Sequence, residues 1–149
     1  MLLSKSCIYG IRASIYIASV EGNQFISIKQ VAEELDISFH FLTKILQTLT
    51  QDGIMNSYRG PNGGIMLARS AKDISLIEIV RSIDGNEIFT DCFLGLPHCG
   101  NPIPCPVHEQ WATIRTDIAK VLSSTTLFDL ATKVNVLGHR LSEKDILRL

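Results

Sequence analysis

SIKQVAEELDISFHFLTKILQTLTQDGIMNSYRGPNGGIMLAR, residues 27–69, is the stretch on which the fold turns. Ser27 followed three residues later by Gln30 has the form of a capping box. Ile28, Val31, Ala32 and Leu35 then fall at i, i+3, i+4 and i+7, which predicts a short amphipathic helix. Asp36-Ile37-Ser38 interrupts it. Ser38 can cap a second helix whose apolar positions are Phe41, Leu42, Ile45, Leu46 and Leu49, and Asp52-Gly53 supplies its stop. Two short helices joined by about three residues, the second longer, make a helix-turn-helix pattern. Ile54–Tyr58 and Ile65–Ala68 follow as two β-compatible runs, and Arg59-Gly60-Pro61-Asn62-Gly63-Gly64 between them permits a tight reversal. A helix-turn-helix followed directly by a hairpin flanked by Arg59 and Arg69 predicts a winged helix.

Opposite its apolar stripe, the second helix presents His40, Thr43, Lys44 and Gln47, all able to hydrogen-bond base edges or phosphates. The candidate DNA-contacting set is therefore Ser38, His40, Phe41, Thr43, Lys44 and Gln47 on this helix, with Arg59, Gly60, Pro61, Asn62 and Gly63 on the wing. Arg59 is the strongest candidate, because a guanidinium makes paired donor bonds to phosphate or guanine. Gly60–Gly64 is not a phosphate loop: no Gly-Lys-Ser/Thr follows, and both flanks are strand-like. Glu33, Glu34 and Asp36 read as a solvated face.

Upstream, Ser4 or Ser6 can cap a helix through about Val20 with Cys7, Ile8, Ile11, Ile15 and Ala18 on one face, so Cys7 reads as core. Gly22-Asn23 ends that helix. Downstream, Ser75 with Glu78 forms a capping box that opens a helix with Leu76, Ile79, Val80 and Ile83 apolar, stopped by Gly85. A long helix is predicted from Val107 to about Leu122. Val107, Trp111, Ile114, Ile118 and Val121 are spaced 4, 3, 4, 3, as in the seam of a coiled coil. Such a stripe can pack on its own domain, but a wide globular face usually adds e or g positions, so it reads more simply as a dimer seam. Thr125–Val136 is expected to form a short last helix, and residues 138–149 a frayed tail.

Between these helices lies CFLGLPHCGNPIPCPVH, Cys92 to His108. It holds three of the four cysteines and four of the five prolines, so it is neither helix nor central strand. Three thiols and a histidine in a stiff loop leave three readings: an iron–sulfur site, a zinc site of three cysteines and one histidine, or unliganded thiols. The lack of any C-x2-4-C pair weighs against zinc. His98 is a second candidate ligand that reads more simply as a solvated loop residue.

With 149 residues, 46% hydrophobic and 19% charged, the chain has the composition of a small globular protein. No apolar run approaches the ~20 residues needed to span a bilayer, and the N-terminus lacks the order of a signal peptide. A cytoplasmic protein is expected, in which cysteines bind metal or do redox chemistry. Net charge is −1, but residues 1–72 carry 7 Lys/Arg against 5 Asp/Glu (+2), and residues 73–149 carry 7 against 10 (−3). The asymmetry fits a DNA-facing N-terminal part without establishing one. No nucleophile–base pair, nucleotide loop or paired carboxylates with identifiable roles occurs, so no enzyme is expected.

The chain resembles the IscR-like, Rrf-type winged-helix regulators of bacteria. The likeness is carried by the opening Ser4-Lys5-Ser6-Cys7-Ile8-Tyr9-Gly10-Ile11-Arg12-Ala13, the helix-turn-helix over 27–51 and the wing Arg59–Gly64. The three loop cysteines with Cys105-Pro106-Val107-His108 and Trp111 complete it, over about residues 1–125. The resemblance implies a homodimeric transcription factor on double-stranded DNA, with an iron–sulfur cluster in the loop. By residue, it implies Cys92, Cys99 and Cys105 as ligands, with His108 where IscR-type members place the fourth ligand to a [2Fe–2S] cluster. Nitric-oxide-sensing members take a fourth ligand from an Asp near residue eight, where this chain has Ile8. Two departures stand out. The first Cys–Cys interval has six intervening residues where IscR has five, and Thr43 stands where IscR has a Glu, so the operator read should differ.

The expected architecture is mainly α: a winged helix-turn-helix domain over 1–85, a cysteine-rich sensor loop over 86–106, and a dimerisation helix with tail over 107–149. The expected function is a regulator, acting as a repressor on a near-palindromic operator, controlled by the cluster that three cysteines and a histidine hold. Two alternatives stand beside it. One is a clusterless regulator sensing a metabolite or thiol oxidation, the other a redox or cluster-carrying protein without DNA binding.

Overall fold

The computed structural model describes residues 2–100 and 102–146; residues 1, 101 and 147–149, the last of the expected tail, lie outside them. Helix α1 (Lys5–Ser19) is capped by Ser4, whose hydroxyl accepts from the Cys7 amide at 3.0 Å. α2 (Ile28–Leu35) is capped by Ser27, which accepts from the Gln30 amide at 3.0 Å. The Gln30 side chain does not close the expected box. It points instead to the Tyr16 hydroxyl, 3.3 Å away. Asp36 takes a left-handed conformation (φ 55°) and turns the chain into α3 (Phe39–Gln51). A side chain with a short polar group tolerates that conformation better than most.

Strands β1 (Met55–Tyr58) and β2 (Gly64–Leu67) pair antiparallel, with Met55 opposite Leu67 and Tyr58 opposite Gly64. Ile26, just before α2, exchanges both main-chain bonds with Ile65 (2.9 and 2.8 Å), so the wing is tied to the helix-turn-helix. The backbones approach so closely that a Cβ at Gly64 would overlap the Ile26 carbonyl. Glycine is required there on space as well as on its positive φ.

Helix α4 (Leu76–Asp84) opens with both halves of the predicted capping box. Burial pushes the Glu78 carboxyl up, but the Ser75 amide, the Arg69 guanidinium and the Ser75 hydroxyl outweigh it and hold it below the usual range. A one-turn helix α5 (Glu87–Thr90), not anticipated from sequence, leads into the cysteine loop. α6 (His108–Ser124) and α7 (Leu127–Leu137) follow, the latter capped by Thr126 with Asp129.

The core is drawn from α1, α2, α3, the wing, α4 and α7: Ala13, Val31, Leu42, Leu46, Leu49, Met55, Ile65, Ile74, Ile79 and Leu127 are all buried. Truncating one such Leu or Ile to Ala costs about 2–5 kcal/mol. Cys7 is fully buried, as expected. Burial, with the negative charge and hydrogen bond of Asp84, pushes its thiol up to about 12. Thiolate is the reactive form. In native protein at pH 8, iodoacetamide should therefore leave Cys7 unlabelled while alkylating it after denaturation, read by peptide mass mapping. Labelling at the native rate of an exposed thiol would contradict that burial.

One expectation is corrected. The segment after Gly138 is not frayed over its described part: Ser142 is buried, Asp145 accepts from the Leu141 amide (2.8 Å) and a short 3-10 turn runs over Glu143–Asp145. It is also tied to distant residues, Arg12 donating to the Leu141 carbonyl and Lys144 to the Glu33 carbonyl, which local pattern does not reveal.

Candidate functional site

Part of the polar face of α3, Thr43 and Gln47, borders the wing. His40, Lys44 and Gln47 are exposed, and Thr43 is half-buried with its hydroxyl donating to the Phe39 carbonyl at 2.7 Å. Ser38 is exposed and makes no capping bond, so its hydroxyl is available. Phe41 is placed otherwise. It is half-buried and meets Tyr9 of α1 edge-on, ring centroids 5.7 Å apart.

On the wing, Arg59, Gly60, Pro61 and Asn62 are exposed and Gly63 is half-buried. The two flanking arginines differ. Arg69 donates to Glu78 (2.6 Å) and to the Asp73 carbonyl (2.8 Å) and is committed to the fold, whereas Arg59 has no ion pair among the described residues. A groove of about 460 Å³ separates α3 from the wing, lined by Thr43, Gln47, Gln51, Ser57, Tyr58 and Arg59. Tyr58 and Gln51 line this groove although they were not among the candidates read from sequence. Tyr58 is 61% exposed and its ring leans on Phe25, an arrangement set by strand register that periodicity does not give.

In the cysteine loop, the four candidate ligands lie near one another, with Cys92 hydrogen-bonded to both Cys105 and Cys99. The Cys92 and Cys105 sulfurs are 3.5 Å apart, and Cys99 Sγ lies 3.4 Å from His108 Nδ1. The main-chain amides of Leu96 and Leu94 donate to Cys92 and hold its thiol below the usual range. Among the described residues, no three or more His, Cys, Asp or Glu side chains are placed to hold one metal ion in common. His98 is exposed and takes a left-handed conformation (φ 57°), away from the hydrogen bonds of those four.

Helix α6 carries the loop. His108 is its first residue. One turn on, Trp111 donates its indole N–H to the Asp91 carbonyl at 2.8 Å and packs on Phe93, centroids 5.4 Å apart. Arg115 donates to the carbonyls of Thr90 (2.5 Å) and Asp91 (3.0 Å). Trp111 thus faces the loop. Along the rest of the stripe Ile114 and Val121 are exposed, Ile118 and Val107 half-buried, and none of the 17 residues of α6 is buried.

These features have counterparts in known proteins. The model of the Rrf2 family, described as iron-dependent transcriptional regulators, matches residues 3–133. The chain belongs to the Rrf2 family. Among its relatives, a protein of Haemophilus influenzae named as an HTH-type transcriptional regulator is 32% identical over 145 residues, covering 97% of this chain and 95% of that one. The HTH-type transcriptional regulator NsrR of Oceanobacillus iheyensis is 30% identical over 131 residues, 87% of this chain and 89% of that one.

Among solved structures, CymR, the global cysteine regulator of B. subtilis, superposes with a TM-score of 0.73 at 29% identity, covering 87% of this chain and 95% of that one. IscR of T. potens gives 0.72 at 25% identity, covering 93% and 91%. The mainly helical fold with its two-stranded wing is thus that of winged-helix Rrf2 regulators, and the chain is a helix-turn-helix transcriptional regulator. No helix among the described residues is long and apolar enough to cross a membrane.

Proposed function

We propose that this Rrf2-family regulator is a cytoplasmic homodimer that binds a near-palindromic operator under the control of a [2Fe–2S] cluster held by Cys92, Cys99, Cys105 and His108. The observation that carries the reading is the convergence of those four side chains. Two thiolates each about 2.3 Å from one tetrahedral metal lie about 3.8 Å apart, and a thiolate and an imidazole at about 2.0 Å lie about 3.5 Å apart. The separations of 3.5 and 3.4 Å are close to those of ligands that share a tetrahedral metal, and Cys99 also comes near Cys92, so the three thiols and His108 converge on one region of the loop. The amides aimed at Cys92 also suit a cluster, whose thiolates are stabilised by such donors.

When bound, the cluster supplies an oxidant-sensitive redox centre. The protein's part is mechanical. Trp111 and Arg115 fasten the residue before Cys92 to α6, and His108 begins α6, so the loop and that helix move together. Ordering of the loop would fix α6, and α6, through its exposed Ile114 and Val121, would set how two recognition helices are spaced along DNA. Loss of order would relax that spacing.

Anaerobically purified protein should contain about two iron and two acid-labile sulfide per chain, with visible absorption to match. Stoichiometric zinc without sulfide would overturn the cluster. A second reading stays open on one observation: Cys92 and Cys105 are close enough to respond to thiol oxidation directly, and CymR-like chains share the fold. Metal-free protein that binds its operator only when reduced would establish that version instead.

For the DNA contact, Arg59→Ala should weaken operator binding by about 10- to 100-fold, the weight of one good guanidinium contact. Dimerisation and visible absorption should be unchanged. Fluorescence anisotropy at physiological salt measures this, and an unaltered affinity would remove the wing from the interface.

A further inference from the structure

The segment after α7 lies beyond the residues matched by the family model, yet it is built into the helix-turn-helix. Three side chains make the connection. Arg12 of α1 donates Nε to the Leu141 carbonyl (2.6 Å) and Nη2 to the Leu35 carbonyl (3.0 Å). Lys144 donates to the Glu33 carbonyl (2.6 Å) and lies 3.8 Å from the Asp36 carboxylate. Both α2 carbonyls receiving these cations are in the last turn of that helix, which has no basic residue of its own. The negative end of a helix is stabilised by cations placed there; the Glu33 carbonyl also accepts from the Asp36 amide, so Lys144 adds to a bond that the turn already makes.

That helix end is also the turn of the helix-turn-helix. Asp36 sits in its left-handed conformation between Leu35 and Ile37, and α3 begins three residues later. On its other side, the Arg12 guanidinium stacks on the Tyr9 ring (5.6 Å), the ring that meets Phe41 of α3 edge-on. Arg12 therefore touches the C-terminal segment, the end of α2, and the aromatic prop of α3 at once.

We infer that Arg12 and Lys144 are positioning residues for DNA recognition: they clamp the C-terminal segment 139–146 onto the turn between α2 and α3 and so fix the angle of the recognition helix. Their effect is on operator-specific binding, which needs the α3 side chains in register with base edges, and not on non-specific binding, which needs only charge near phosphates. The inference rests on the DNA-binding half of the proposed function and is independent of the cluster.

The test compares full-length wild type, Arg12→Lys, Lys144→Ala and Lys144→Arg, all as purified. The probes are a duplex selected from a random pool by the wild-type protein and a scrambled duplex of equal length. Lysine at 12 keeps the charge but cannot donate from two fixed nitrogens to two carbonyls. Arg12→Lys should lose about tenfold in operator affinity and Lys144→Ala about threefold, as expected for charge-assisted bonds acting through a shared turn. Affinity for the scrambled duplex should stay unchanged, and Lys144→Arg should retain wild-type values.

Hydrogen exchange should also quicken in the peptide spanning 33–41 while α6 stays as protected as before. Operator affinity and turn exchange unchanged in both Arg12→Lys and Lys144→Ala would overturn the inference. Equal losses on both duplexes would overturn it too, by showing a plain charge effect. If the Arg12 variant fails to fold, the exposed Lys144 pair decides alone. A wild-type protein that selects no duplex at all would instead refute the proposed function.

Discussion

Ile114→Glu is expected to leave the protein monomeric at micromolar concentration and to reduce operator binding at least a hundredfold. Helix α6 is 17 residues long and none of them is fully buried: Trp111 and Arg115 hold one side of it to the loop, while Ile114 and Val121 are left exposed. Ile114, 48% exposed, lies mid-stripe where a second copy of α6 would pack. By two-fold symmetry each substitution enters the interface twice, and an unpaired charge buried there costs several kcal/mol. Every 1.4 kcal/mol is tenfold in the dimer's dissociation constant. Operator binding falls with it, because two half-sites held by one dimer gain about 10²–10⁴ from effective concentration, which a monomer forfeits. Because Ile114 is exposed in the protomer, the variant should keep its helical circular dichroism. Sedimentation equilibrium reads the result directly, and a variant that still sediments as a dimer would place the interface elsewhere.

How far the sequence carried this picture varied from element to element, for physical reasons. α2, α3 and the wing were legible because local forces agree with the fold: caps at Ser27 and Asp36, an apolar stripe that is fully buried at Leu42, Leu46 and Leu49, and glycines where the hairpin reverses. The capping box at Ser75 was legible to the atom. The division of labour between the two arginines was not. Arg59 and Arg69 look alike along the chain, and only the approach of Glu78 from the next helix commits one of them to the fold.

The same limit applies to the C-terminal segment. A frayed tail was expected there, but Arg12 and Leu141 meet across 129 residues, and no periodicity records such a contact. At the candidate metal site, the four ligand types and their order could be read, but their convergence could not. That Cys92 comes near Cys105 and Cys99 near His108 depends on how the proline-rich loop folds back, which spacing alone leaves open.

That convergence gives the second large effect. Replacing Cys92, Cys99 or Cys105 with Ala should each abolish stable cluster binding, because one metal atom is then left with a single protein ligand. His108→Cys should behave differently. Its side chain begins α6 beside Cys99, so a thiolate there can complete the same ligand set without moving the loop. The variant should keep about two iron and two sulfide per chain, but its reduction potential should fall by on the order of a hundred millivolts. A thiolate donates more electron density than a neutral imidazole and adds a negative charge, which disfavours taking up an electron. The direction separates two roles for His108. As a ligand, it sets the potential; as a neighbour that only hydrogen-bonds Cys99, its replacement would leave potential and visible spectrum where they were. Anaerobic redox titration followed by visible absorption distinguishes them. An unchanged potential in His108→Cys, with cluster content intact, would mean that the fourth ligand lies elsewhere.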